Sequence, residues 1–522
     1  MALKYRLFNP NYTICHRGAM GGLAATIKAW GDNLPEGIQA QYDAETITID
    51  WDETLTEQEA LEKILAASFK LTEDKLIDLP GQFIGEDSPD LRLVIHEALC
   101  LTFLQHNKMR PGEKTPRISP WQPVDQEDTE PITYRAINSY AHQKAQGTGL
   151  LDKAKEGEIG KFPFTATLPQ SVIPGAMTGK KALQAMAEDA ILLLYLMVGS
   201  VIFLLRPTTY RGKSDKKARE KAQACIVIPN VTNLKDFVDS LEILTATSKN
   251  IERFNSTYLG RIVGGAEEAA LTFLSNIQAD DIANSSGVSG CQVIAMGKVA
   301  WDKNQINRSL SIQLRNSYPE MTVFRAAKKY LGQSKWITAA NGKRFAIPNS
   351  PVPELIAANL ASERHWCAYF SDLISKKKDF QQMLFRQGGL HAMAKAVKDE
   401  DDQAIIQAFH KAWEMTMGQI GDRSREKNLD FSRLVEVKRE KIRNEILRAK
   451  TASGLATWFL QFCTDATKGA SLLPIRNEAD RIRAFIFNAR NFERFQNLLL
   501  FALLSYANDE TNRNNNSEGD KN

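Results

Sequence analysis

Residues 353–378, PELIAANLASERHWCAYFSDLISKKK, open a run in which apolar side chains recur at helical spacing and strand signals stop. The periodicity continues to Leu504, with breaks expected at Gly388-Gly389, Gly421 and Pro474. The last third therefore reads as helical throughout: a connector over 352–392, then a bundle over 393–508. The terminal DETNRNNNSEGDKN, residues 509–522, has no apolar residue and reads as disordered.

Upstream the pattern is mixed. In ETITIDW, Ile47, Ile49 and Trp51 alternate as in a half-buried strand, and Thr56 with Glu59 forms a capping box opening a helix that carries Leu61, Ile64 and Leu65. Residues 1–106 form one such region. Between 107 and 134, Pro111, Pro116, Pro120, Pro123 and Pro131 preclude a long regular element and mark a linker or insertion. A middle region, 135–351, carries strand candidates at Cys225 to Pro229 and Cys291 to Ala300. The fold class is thus α+β, with mixed α/β N-terminal and middle regions followed by an all-α C-terminal helical bundle.

At 522 residues the chain exceeds one comfortable core. Sixty-six Lys and Arg against 62 Asp and Glu give a net charge of +4, so any affinity for a polyanion must be local. Six scattered cysteines without a CxxC pair fit free thiols in a reducing cytosol, and the N-terminus has no secretory-signal pattern. The uncharged stretch Ala190 to Leu205, AILLLYLMVGSVIFLL, spans 16 residues interrupted by Gly199 and Ser200. It reads as a buried core element; a membrane-associated interaction protein is the alternative.

Catalytic signatures are weak. GAMTGKK, Gly175 to Lys181, is one residue short of a phosphate loop and ends in Lys where a hydroxyl would hold magnesium. The seven histidines form no H-x-x-x-H pair and none adjoins an Asp. No catalytic residue, metal site or cofactor is expected; a nucleic-acid-processing enzyme would need an active site dispersed along the chain.

Local charge is more telling. Between Arg206 and Lys221, a loop rich in Arg211, Lys213, Lys216 and Lys217 suits phosphate contacts or is simply solvated. Arg476, Arg483 and Arg490 are spaced by seven, with Arg494 four further on. On one helix that spacing drifts by about 20° and lines a single face, opposite Ile475, Ala479, Ile482, Ile486 and Ala489. Arg439, Arg443 and Lys450 make a second basic face beside Val435, Ile442, Ile446 and Ala449. Such stripes can track a phosphate backbone without reading sequence; nearby Glu436, Glu440, Glu445 and Glu493 leave open a salt-bridged, solvated surface. The loop from Asn284 to Gly290, with Ser285 and Ser286, offers donors and acceptors suited to base edges, and Lys298 follows it.

KYRLFNPNYTICHRGAMGGLAATIKAW (4–30), IAMGKVAWDKNQINRS (294–309), ANLASERHWCAYFSDL (358–373) and the helical last third together resemble the MYXAN-type large subunit of type I, I-B-like CRISPR effector complexes (Cascade). That resemblance implies a non-catalytic subunit bound near the 5′ end of a guide RNA, beside handle-binding and backbone subunits. It would inspect the short motif flanking target double-stranded DNA, help open the duplex and support the R-loop, leaving sequence reading to base pairing. The bundle over 393–508 would match separate small subunits. Further partners would be a helicase-nuclease or, in transposon-associated relatives, a transposition target-selector protein. Asn284, Ser285, Ser286 and Lys298 are the flanking-motif candidates. Met393, four residues after Gly388-Gly389, whose codons can form a ribosome-binding purine run, is a candidate internal start.

Overall fold

The computed structural model describes residues 2–85, 89–104, 112–118, 133–140, 162–163, 184–185, 187–205, 224–250, 262–277, 286–296, 308–313, 320–332, 335–338, 344–347, 350–469 and 471–507. The chain divides into two compact units, 1–315 and 316–522. The division falls inside the stretch 135–351 that the sequence reads as one middle region.

In the first unit, β1 (Ala2–Arg6), β2 (Ile38–Tyr42) and β3 (Thr46–Trp51) form an antiparallel sheet with β3 in the centre. The expected alternation sets its inner face: Ile47 and Ile49 are buried and Thr46, Thr48 and Trp51 half-buried. Between β1 and β2 runs α1 (Ile14–Trp30). The capping box also forms as read. Thr56 Oγ1 accepts from the Glu59 N–H (3.2 Å), Glu59 Oε2 accepts from the Thr56 N–H (2.9 Å), and α2 (Glu57–Ser68) follows, burying Leu61, Ile64 and Leu65. In α3 (Pro89–Leu101), buried His96 accepts the Ile77 N–H at Nδ1 (3.1 Å).

The apolar stretch 190–205 is three short elements: α4 (Ala187–Leu194), α5 (Leu196–Gly199) and β4 (Val201–Leu205). Residues 190–198 are buried, and among the described residues no helix is long and apolar enough to cross a membrane. Its buried surface is taken up by α1, whose small residues permit close contact. A Cβ on Gly22 would overlap the Tyr195 carbonyl oxygen and lie 2.5 Å from Gly199 N; one on Gly199 would overlap the Gly18 carbonyl oxygen.

β4 enters a five-stranded sheet of order β6-β4-β5-β7-β8, with β5 (Ala224–Val231), β6 (Ile262–Val263), β7 (Val288–Met296) and β8 (Arg308–Gln313). Only the β4–β6 pair is parallel. Consecutive Cys225, Ile226, Val227 and Ile228 are all inaccessible, so β5 is covered on both faces. α1, α6 (Leu234–Asn250) and α7 (Ala266–Ile277) supply the surrounding apolar surface. Both expected strands, at 225–229 and from 291, are present, the second ending at Met296 within the described residues.

The second unit begins with α8 (Met321–Leu331) and a hairpin of β9 (Lys335–Thr338) and β10 (Arg344–Ile347). From Val352 onward the described residues contain helices and turns without strands. These are α9 (Val352–Ala361), α10 (Phe370–Leu373), α11 (Lys377–Leu384), α12 (Gln387–Ala396), α13 (Glu400–Lys427), α14 (Phe431–Arg448), α15 (Ala452–Ala466), α16 (Ala479–Ile486) and α17 (Phe492–Ser505). Phe495 and every residue from Asn497 to Ser505 are buried, which makes α17 the central helix. Of the expected breaks, the one near Gly388-Gly389 falls slightly earlier, between Leu384 at the end of α11 and Gln387 at the start of α12, and the one at Gly421 is absent. Gly388-Gly389 lies in the first turn of α12, and Gly421 lies inside uninterrupted α13. One glycine costs a helix only about 1 kcal/mol, which the packing of these helices offsets. Pro474 does fall at a break, in a 3₁₀ turn over Leu473–Glu478.

Candidate nucleic-acid interface

The seven-residue arginine stripe does not lie on one helix. Arg476 lies within the 3₁₀ turn, Arg483 in α16, Arg490 in a second 3₁₀ turn (Ala489–Asn491) and Arg494 in α17. The break has a local cause: Asn488 Oδ1 accepts the Arg490 N–H (3.1 Å), a side-chain bond that competes with helix continuation. Ile475, Ile482 and Ile486 are buried as read, whereas Ala479 and Ala489 are exposed. Arg476, Arg483 and Arg490 nevertheless all face solvent.

Arg494 points inward and does not contribute to that surface. It donates to Asp402 Oδ1 through Nε (2.9 Å) and Nη2 (2.7 Å) and to Asp399 (2.7 Å), and lies over the Phe485 ring. Asp402, fully buried, also accepts from Trp366 Nε1 (2.8 Å) and His365 Nε2 (2.8 Å) at its other oxygen. Burial alone would raise the Asp402 pKa; the His365 bond and charge, the Arg494 charge and the Trp366 bond outweigh it and hold the carboxyl below its ordinary range. Trp366 and Phe370 then pack edge-on against Phe501 of α17. This buried knot joins residues of the connector to the bundle, and the sequence reading missed it. A legible trace exists: Asp402 occupies the same helical face as Ile405, Phe409 and Trp413, an acid within an apolar stripe.

Cys367 Sγ lies 3.1 Å from His365 Nδ1, so cysteine, histidine and aspartate stand in a row. Cys367 is 1% exposed and burial pushes its thiol pKa well up, which removes the thiolate a nucleophile needs. The row is structural. All six cysteines are buried thiols, and among the described residues no group of three or more His, Cys, Asp or Glu could hold a metal.

The second basic face is also largely internal. Arg443 is buried over the Phe380 ring and Arg439 half-buried over Trp413, where desolvation lowers its pKa. Val435, Ile442 and Ile446 are buried beside them, Ala449 is half-buried, and Lys450 is exposed. Arg439 and Arg443 fall on the inner side because guanidinium stems and faces pack well on aromatic rings.

Of the flanking-motif candidates, Asn284, Ser285 and Lys298 lie outside the described residues, as do Arg211, Lys213, Lys216 and Lys217. Ser286 is half-buried. Gly287 follows at φ +65°, its carbonyl accepting from the Thr232 (2.8 Å) and Asn233 N–H groups, and a Cβ there would lie 2.5 Å from Phe237 N. The close backbone approach that a small residue permits is thus used here within the chain, pinning the start of β7 to the turn after β5.

Residues 4–194 match the DevT N-terminal domain and residues 394–522 the DevT C-terminal domain. A CRISPR-associated protein Cas8a1/Csx13 of Myxococcus xanthus (strain DK1622) is 24% identical over 490 residues, covering 86% of this chain and 79% of that protein. The chain is similar to a CRISPR-associated protein across both of its units. The two DevT-like segments fall one in each unit, and the exposed Arg476, Arg483 and Arg490 all belong to the DevT-like C-terminal segment. Arg494 and Asp402 belong to it as well, whereas His365 and Trp366 precede it.

Proposed function

We propose that this chain is the non-catalytic large subunit of an RNA-guided DNA-targeting complex, recognising the target-flanking motif, helping to open the duplex and supporting the R-loop. The observation that carries this reading is the similarity to a CRISPR-associated protein over 86% of the chain, reaching both units. Its partners are a guide RNA, target double-stranded DNA, handle-binding and backbone subunits, separate small subunits, and a helicase-nuclease or a transposition target-selector protein. Arg476, Arg483, Arg490 and Lys450 are the exposed cations assigned to the nucleic-acid backbone in the bundle; Arg439, Arg443 and Arg494 shape the protein beneath them. Asn284, Ser285, Ser286 and Lys298 are assigned to the flanking motif. In the test, the tagged chain is expressed with its neighbouring genes and a guide RNA and purified. Stable co-purification with that RNA and a repeated subunit is expected, and a monodisperse monomer that ignores guide RNA and DNA would exclude the assignment.

Met393 is proposed as a second start of translation. The DevT-like C-terminal segment begins one residue later, at 394, which supports this. Expression from the native gene should then give a short product recognised by a C-terminal tag, and a silenced Met393 codon should abolish it. Persistence of that product, or its absence from the unaltered gene, would count against the second start.

A further inference from the structure

Phe487 closes α16 with 54% of its surface exposed. Arg483 is one turn before it, its carbonyl accepting the Phe487 N–H (3.3 Å), and Arg490 is three residues after it; both are exposed. Ala484, Asn488 and Ala489, also exposed, are small and leave the surroundings of the ring open. The corner is well held. Besides the Asn488 cap, the Asn491 N–H donates to Asn488 O (2.9 Å) and Asn491 Nδ2 donates to Phe485 O (3.2 Å). Phe485 and Ile486 turn inward, Phe485 meeting Phe495 edge-on. An exposed aromatic ring therefore stands in the chain between two exposed cations, on backbone that need not be ordered again when a ligand arrives.

Resting on the nucleic-acid reading above, we propose that Phe487 stacks an unpaired base while Arg483 and Arg490 hold phosphates on either side, so that this corner takes single-stranded nucleic acid. Stacking requires a free base face, which single strands offer and duplexes keep inside the helix. The positive flanks complement the phosphate chain. Asp480, 3.4 Å from Arg483, does not block this, because both side chains are largely exposed (97% and 74%) and an ion pair in water is readily exchanged.

The test uses the full-length chain and oligonucleotides carrying 2-aminopurine, single-stranded or duplex, over a range of salt. Binding of the single strand by the unaltered chain should quench the fluorescent base. Phe487→Ala should abolish the quenching and weaken single-strand binding by about tenfold, leaving duplex affinity and the salt slope unchanged; Phe487→Trp should restore both losses. Arg483→Ala with Arg490→Ala should lower the log–log salt slope by about 1.4. Single-strand affinity and quenching that survive Phe487→Ala overturn the stacking role while leaving the nucleic-acid reading intact. Unchanged nucleic-acid binding with altered self-association in Phe487→Ala assigns the ring to a protein contact and overturns it too. A chain that binds neither oligonucleotide removes both readings.

Discussion

Asp402→Ala should destabilise the 316–522 unit by about 3–5 kcal/mol, the usual result of removing one partner of a buried ion pair. The substitution strips acceptors from Arg494, His365 and Trp366 at once, and the carboxylate is wholly inaccessible, so water cannot readily replace it. Hydrogen exchange should show lost protection through α13 and α17 while α1 and β5 of the other unit keep theirs. Asp402→Asn, which retains an acceptor for Trp366, should cost less. The effect also has a pH signature. Because the folded carboxyl titrates below its unfolded value of about 3.9, its contribution is complete above that pH and is lost as the pH falls through the folded value. The gap between the parent and Asp402→Asn should thus narrow below about pH 4. Equal protection in the parent and Asp402→Ala would refute the account.

The other large effect is expected in the first unit. Gly199→Ala and Gly22→Ala each push a methyl into main-chain atoms of the facing helix, where no side chain can turn away. Separating α1 from α5 to make room should cost about 3 kcal/mol, the upper end of the usual range for overpacking. Gly388→Ala is the control: a methyl there meets nothing within 4 Å and the residue sits in a helix, so a gain of about 0.5 kcal/mol is expected. Chemical denaturation followed by a probe in each unit checks all three. If Gly199→Ala is tolerated as well as Gly388→Ala, the tight α1–α5 contact is wrong.

These residues show what the sequence could and could not convey. Local rules carried far: the Thr56–Glu59 box, the Ile47–Ile49 alternation and the loss of strand signals after 352 all depend on neighbours a few positions apart. The same locality misled at the arginine stripe. Sevenfold spacing implies one face only if the helix continues, and Asn488, bonding to the backbone, ends it. The stretch 190–205 was unreadable in detail for another reason, since an apolar run has no polar positions to give it a period. The Asp402 knot lay further out of reach, its partners His365 and Arg494 being 37 and 92 positions away. A basic residue's spacing likewise does not reveal whether its guanidinium meets solvent or an aromatic ring, and Arg443 and Arg494 meet rings.

The position of Met393 gives the knot a consequence for gene economy. Met393 is fully buried in the middle of α12, and Gln387, Leu390 and His391 of that helix contribute to the packing around α17. A ribosome starting there would release a bundle that keeps Asp402 and Arg494 yet lacks His365, Trp366 and Phe370, leaving one side of Phe501 without its cover. The short product would be a bundle without the cover that residues 352–392 give it in the full-length chain.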